Sequence, residues 1–129
     1  MNSTELKLRT KKFALRVIHL TRALKNDYVE VTIGKQILRS GTSVGDNYRA
    51  ACLAKSTSDF IYKLKIVEEE LDETLYWMEL LIEAELIPQA KLLSLQNECT
   101  ELYKIISRSI KTSKSNIKPA SKIRKSVNP

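Results

Sequence analysis

The chain has 129 residues, of which 43% are hydrophobic, 29% charged and 6% aromatic, with three glycines and three prolines. That length supports one domain with a real core, and so few glycines, prolines and aromatics argue against a sandwich or barrel and for an all-α fold. The net charge of +7 is unevenly held: residues 111–129 carry six basic and no acidic side chains, which leaves 16 basic against 15 acidic in the remainder.

Cys52 and Cys99 lie far apart, without CxxC spacing or partnering histidines. Neither a zinc site nor a disulfide framework is suggested, and buried free thiols are the expectation. Met1 to Glu5 contain no apolar core of signal-peptide type, and no apolar run approaches the ~18 residues of a membrane span. A soluble, cytoplasmic protein is expected.

The first helix is predicted over residues 4–25. Phe13, Val17, Leu20 and Leu24 recur at spacings of four, three and four, with Ala14 and Ile18 widening the stripe. Seven basic residues against Glu5 give this segment a charge of +6 and a basic outer face. Asn26 and Asp27 supply a stop and a cap for a second helix, predicted over residues 28–54.

That second segment contains Gly41 and Gly45, four apart and therefore on one side of the helix. Each costs about 1 kcal/mol relative to alanine in a helix interior, so a kink or a close helix crossing is expected to offset it. Thr42 and Ser43 can bond carbonyls one turn back and bend the helix. A phosphate-cradling loop is disfavoured, because no strand precedes the glycines and the GxxxxGK[ST] order is missing.

Lys55 to Asp59 start a third helix over residues 58–86, with Ser56 three residues ahead of Asp59 and Ser58 directly before the apolar run as the capping candidates. Phe60, Leu64, Val67, Leu71, Thr74, Leu75, Met78, Leu81 and Ile82 follow nearly a heptad seam. Nine acids against Lys63 and Lys65 give this helix −7, which leads to the expectation that it pairs with the basic first helix. Pro88 is suited to open a fourth helix, residues 88–111, with Leu92, Leu95, Cys99, Leu102, Ile106 and Ile110 as its stripe. The serine- and lysine-rich residues 112–129 are expected to form a flexible basic tail. Four amphipathic segments with short connections predict an antiparallel up-and-down four-helix bundle occupying residues 1–111.

Little in this inventory supports catalysis. His19 is the only histidine and has no telling carboxylate or cysteine spacing. Glu69, Glu70, Asp72 and Glu73 lack the Glu-x-x-His pairs of bundle metal sites, so a solvated face and interhelix pairing are expected. Arg39, Asp46, Asn47, Arg49 and Asp59 flank the glycine segment and are expected to form a buried polar network. Tyr48, Tyr62, Tyr76 and Tyr103 are spread over three helices and make no stacking platform, and Trp77 is expected in the core or a subunit contact. No catalytic, cofactor-binding or metal residue is assigned.

Basic character is the functional signal that composition supports. Lys7, Arg9, Lys11, Lys12 and Arg16 on the first helix, with Lys111, Lys114, Lys118, Lys122, Arg124 and Lys125 at the end, are candidate phosphate contacts. The alternative is a purely solubilising tail.

Arg39-Ser40-Gly41-Thr42-Ser43-Val44-Gly45-x-Asn47-Tyr48, then Ser56-x-x-Asp59-Phe60-x-x-Lys63-Leu64 and Glu73-Thr74-x-Tyr76-Trp77-x-x-Leu80-Leu81, resemble the bacterial four helix bundle protein family, also called the S23 ribosomal or 23S rRNA intervening-sequence protein family. The similarity extends from about Phe13 to Lys114. It implies a four-helix bundle assembling as a ring-like homopentamer, without established enzymatic activity. Members of the family are encoded within insertions in 23S rRNA genes or stand alone, and a related bundle serves as the accessory protein of diversity-generating retroelements, binding a reverse transcriptase and nucleic acid. This chain departs from the pattern at Asp46, where the family usually has alanine, at Ala50, often an acid there, and at Glu69-Glu70-Leu71, typically Lys-Glu-Ala. The resulting expectation is a non-enzymatic homo-oligomer associated with RNA or a protein–RNA assembly. The alternative is a protein-interaction adaptor for a polymerase or other partner. Neither a cofactor, a membrane nor a small-molecule substrate is implied.

Overall fold

A computed structural model describes residues 1–127, with side chains as far as Ile117. Four helices account for nearly all of it: α1 (Ser3–Ala23), α2 (Tyr28–Cys52), α3 (Thr57–Glu83) and α4 (Gln89–Val127). No strand occurs among the described residues. Each of the first three begins on a side-chain cap that satisfies an otherwise orphaned amide. Asn2 accepts from the Glu5 amide at 2.8 Å, Asp27 from Glu30 at 2.9 Å and Ser56 from Asp59 at 3.1 Å. Asp27 and Ser56 are the starts read from the sequence.

The helices pack in chain order, α1 on α2, α2 on α3 and α3 on α4, and α4 closes back on α1. Phe13, Val17, Ile37, Val44, Leu64, Val67, Leu71, Met78, Leu81, Leu102 and Ile106 are completely buried between them. The stripe predicted on α4 is buried throughout, while on α3 Leu64, Val67, Leu71, Thr74, Met78 and Leu81 are buried, Ile61 joins them, and Phe60, Leu75 and Ile82 are only partly buried at the core's edge. On α1 the buried face begins earlier than expected, at Leu6 and Thr10. On α2, Val31 and Leu38 lie at the exposed margin, and Gly34, Ser40 and Gly41 occupy the buried face.

This order corrects the expected pairing of basic α1 with acidic α3. The two stand diagonally across the bundle, because short connections make consecutive helices neighbours and place the first and third apart. Among the described residues the ion pairs between helices join adjacent ones instead: Arg9 of α1 with Glu98 of α4, and Arg39 of α2 with Glu70 and Glu73 of α3. Complementary charge had no power to override chain connectivity at under about 1 kcal/mol per exposed pair.

α3 ends in a paired-amide terminus. The Leu86 amide donates to the Leu81 carbonyl and the Glu85 amide to that of Ile82, both at 2.9 Å. This is the Schellman arrangement, and it places Glu85 at φ 60°, the left-handed region that glycine occupies without steric penalty. A side chain there costs about 1–2 kcal/mol. Glu85→Gly is therefore expected to raise stability by about 1 kcal/mol, seen as a melting temperature higher by roughly 4 °C at fixed protein concentration.

α4 corrects a second expectation. It was predicted to end at Lys111, yet the helix continues to Val127. Ile117, seven residues after Ile110, prolongs the apolar stripe and packs against the core. An established helix gains one hydrogen bond per added residue without a new nucleation step. The polar composition of residues 112–117 therefore limits their packing but does not terminate the helix.

Candidate nucleic-acid interface

The motif residues on α2 pack that helix between α1 and α3. Its Gly41 faces α1 so closely that an added Cβ would stand 2.8 Å from both Val17 methyl carbons, while one at Gly45 would lie 3.4 Å from the Thr10 hydroxyl and 3.5 Å from its backbone. The close crossing is thus what the glycine pair provides, and the helix runs unbroken through it. Thr42 and Ser43 bond back to the Leu38 and Arg39 carbonyls as anticipated, and Asn47 to that of Ser43.

The opposite side of α2 grips α3. The Ser40 and Thr74 hydroxyls meet at 2.8 Å in the buried interface, and Thr74 also donates to the Glu70 carbonyl at 2.7 Å. Arg39 reaches Glu70 at 3.2 Å and the Glu73 carboxylate, which in turn accepts from the Trp77 indole at 3.1 Å. Arg39 holds the Glu73 carboxyl below its ordinary pKa. Tyr76 stands edge-on to Trp77 with ring centres 5.1 Å apart. Tyr48 is buried and Phe60 half-buried, both beside Ile117, and Asp59 pairs with Lys63 within α3.

This geometry replaces the single polar network expected around the glycines. Arg39 pairs with Glu70 and Glu73 of α3, Asp59 with Lys63 of its own helix, and Asp46 and Arg49 are exposed on the other side. The place of Thr74 in the apolar seam gives no sign of its hydroxyl pairing with Ser40.

Exposed Arg49 and Asp46 meet α1. With Lys7, Leu8, Lys11, Ala14, Thr42 and Gly45 they line a depression of about 420 Å³. Of the five α1 candidates only Lys7 and Lys11 line this depression, and Arg49 joins them because the close crossing at Gly45 leaves α1 near α2. Asp46 is the one acid among them. Lys12 is exposed elsewhere on α1.

The other candidates on α1 point toward α4. Arg9 makes two bonds of 2.8 Å to the Glu98 carboxylate, which keeps its guanidinium pKa above the ordinary value. Arg16 donates to the Ser94 hydroxyl at 2.9 Å. These two act as clasps across the α1–α4 seam. Along the outer face of α4, Lys104, Arg108 and Lys111 are exposed at spacings of four and three, and Lys114 lies exposed one turn on. The side chains of Lys118, Lys122, Arg124 and Lys125 lie outside the described residues.

Cys99 is buried, lies 3.2 Å from the Leu71 carbonyl, and has its thiol pKa pushed up to about 12 by burial; Cys52 is half-buried. No helix of the described residues is long and apolar enough to cross a membrane.

A crystal structure of a protein of unknown function from the S23 ribosomal protein family of Bacteroides thetaiotaomicron VPI-5482 superimposes with a TM-score of 0.80 at 43% identity, covering 86% of this chain and 99% of the other. Among curated proteins nothing matches. The 23S rRNA-intervening sequence protein family matches residues 3–108, from the start of α1 through most of α4, and includes the α2 crossing and its α3 clasp. The chain therefore belongs to the 23S rRNA-intervening sequence protein family.

Proposed function

We propose that this protein is a non-catalytic, self-associating bundle of the cytoplasm that attaches to RNA through phosphate contacts. The observation that carries the reading is the polarised surface. Basic α1 stands diagonally opposite acidic α3, so the Lys7–Lys11–Arg49 depression is kept away from the carboxylates that would repel a polyanion. The exposed cations of α4 extend the positive surface toward its C-terminal half. Family membership is consistent with an RNA context and names no reaction.

Binding of structured RNA, single-stranded RNA and duplex DNA across a salt series tests the reading. Phosphate contacts give a negative slope of log affinity on log salt of about 0.7–0.9 per contact. A slope of roughly −3 or steeper is expected for RNA. Absence of binding at low salt, or a shallow slope with tight binding to a protein partner, would replace RNA attachment with an adaptor role.

Self-association is the second part of the proposal, with the homopentamer expected from the family resemblance. Tyr28, Val31 and Leu38 on α2 and Leu8 and Leu15 on α1 remain exposed, as do Tyr62 and Tyr76 on α3, apolar area that a subunit contact would cover. Light scattering at micromolar concentration is expected to return a mass near five chains, and a monomer there would sink this part.

A further inference from the structure

Glu30 is the one acid in the bundle core, 2% exposed, and its Oε2 has no hydrogen-bond partner among the described residues. Asp27 already caps α2 by taking the Glu30 amide, so the carboxylate is not needed for that task. A buried carboxylate oxygen without a donor is costly, although the carboxyl as a whole bonds the Asp27 side chain, which pushes the Glu30 pKa up, and has Lys25 nearby.

The same side chain lines a cavity of about 500 Å³ at the end of the bundle where the α1–α2 and α3–α4 connections meet. That size suits a small-ligand site. Leu20, Leu24, Ile87 and Leu92 form apolar walls, and Arg16, Lys25 and Lys91 bring three cations to the same cavity. Lys25 and Lys91 have no ion-pair partner among the described residues. The cavity therefore asks three things of an occupant: adjacent N–H donors for the carboxylate, flat apolar faces for the leucines, and an anionic group for the cations.

Guanine nucleotides meet all three. The Watson–Crick edge of guanine carries N1–H and the N2 amino group side by side, both donors. Adenine and cytosine set an acceptor next to their amino group, and uracil flanks its single N–H with two carbonyls, so each turns a lone pair toward a carboxylate. We propose that this cavity binds a guanine nucleotide, with Glu30 accepting from the base edge, the leucine walls against its faces, and Arg16, Lys25 and Lys91 around its phosphate. Leu24, Lys25 and Glu30 line both this cavity and a neighbouring depression of about 270 Å³. The source is either a free nucleotide or an unstacked guanine in an RNA loop, and the site is separate from the phosphate contacts on the α1–α2 face.

Calorimetric titration of the full chain with GMP, AMP, CMP and UMP is the first arm. GMP is expected to bind at least about tenfold more tightly than AMP, the discrimination typical of a paired base edge. Glu30→Gln, which replaces an acceptor oxygen with a donor, is expected to erase that preference. Methyl resonances of Leu20, Leu24 and Leu92 are expected to shift with GMP in the wild-type protein, so the site is located even where the variant folds poorly. In the second arm, RNA hairpins with a single loop guanine are compared with the same hairpins carrying adenine. A loop-guanine preference with weak GMP binding assigns the site to RNA, and tight GMP binding without it assigns the site to free nucleotide. Equal affinity for all four nucleotides, a preference retained in Glu30→Gln, or binding of leucine or phenylalanine in place of GMP would overturn the proposal. Salt-sensitive RNA binding indifferent to guanine, together with no preference for GMP among the nucleotides, would overturn it while leaving RNA attachment intact, and GMP binding without RNA attachment would do the reverse.

Discussion

Gly41→Ala lowers stability by about 1–3 kcal/mol, whereas Gly45→Ala, one turn further along the same face, is neutral or stabilising by up to about 1 kcal/mol. Both substitutions gain the same helix propensity, so the difference isolates the crossing. At Gly41 the new methyl would sit 2.8 Å from two Val17 carbons that are themselves completely buried, and a branched side chain in a filled core has little room to yield. At Gly45 the nearest atom is the Thr10 hydroxyl at 3.4 Å, an ordinary contact. Thermal melts at fixed concentration read the contrast directly, with roughly 4 °C expected per kcal/mol. The double variant Gly41→Ala, Val17→Ala is expected to lose less than the sum of its singles, because the alanine methyl partly fills the space that Val17 vacates. Equal melting temperatures for the two glycine variants would show that α1 and α2 do not cross where the structure has them.

The glycine pair shows what a sequence can disclose. Its spacing put both residues on one face, and its cost in a helix demanded a close neighbour, but nothing in the spacing said that only Gly41 is tight. That depends on which residue of α1 arrives opposite, Val17 or Thr10. The helices, their starts at Asp27 and Ser56 and most of the apolar stripes were legible because each follows from local periodicity and capping. Adjacency was less so: the charges of α1 and α3 look complementary, yet connectivity sets them across a diagonal. The end of α4 is not legible from composition, because the seven-residue interval from Ile110 to Ile117 carries the apolar stripe into a polar segment. Of the candidate interface, Lys7 and Lys11 were readable as exposed cations of a basic helix. Arg49 was not, since its company depends on the crossing at Gly45. Glu30 gave no signal at all, because an acid three residues after a cap is the commonest thing to find at a helix start and its burial is set by other elements.

Lys7→Ala, Lys11→Ala and Arg49→Ala together are expected to weaken RNA binding about tenfold or more at physiological salt and to flatten the salt slope by roughly 2–3, about one for each phosphate contact removed. The loss should be similar for different RNA sequences, since cations on phosphates hold no base information. Asp46→Ala is expected to act in the opposite sense. It removes the one acid from the same depression, and so affinity rises by about twofold to threefold with a steeper approach to saturation at low salt. Asp46 and Arg49 are both exposed, so neither change should shift the melting temperature by more than about 2 °C. The opposed signs carry the argument. A general effect of net charge would make any three cations equivalent, and neutralising Lys104, Arg108 and Lys111 on α4 is the control that separates the two. Equal losses from both triples, with Asp46→Ala silent, would reduce the α1–α2 depression to one part of a diffuse positive field. A loss confined to the first triple, with a gain at Asp46, makes it the place where the RNA backbone sits.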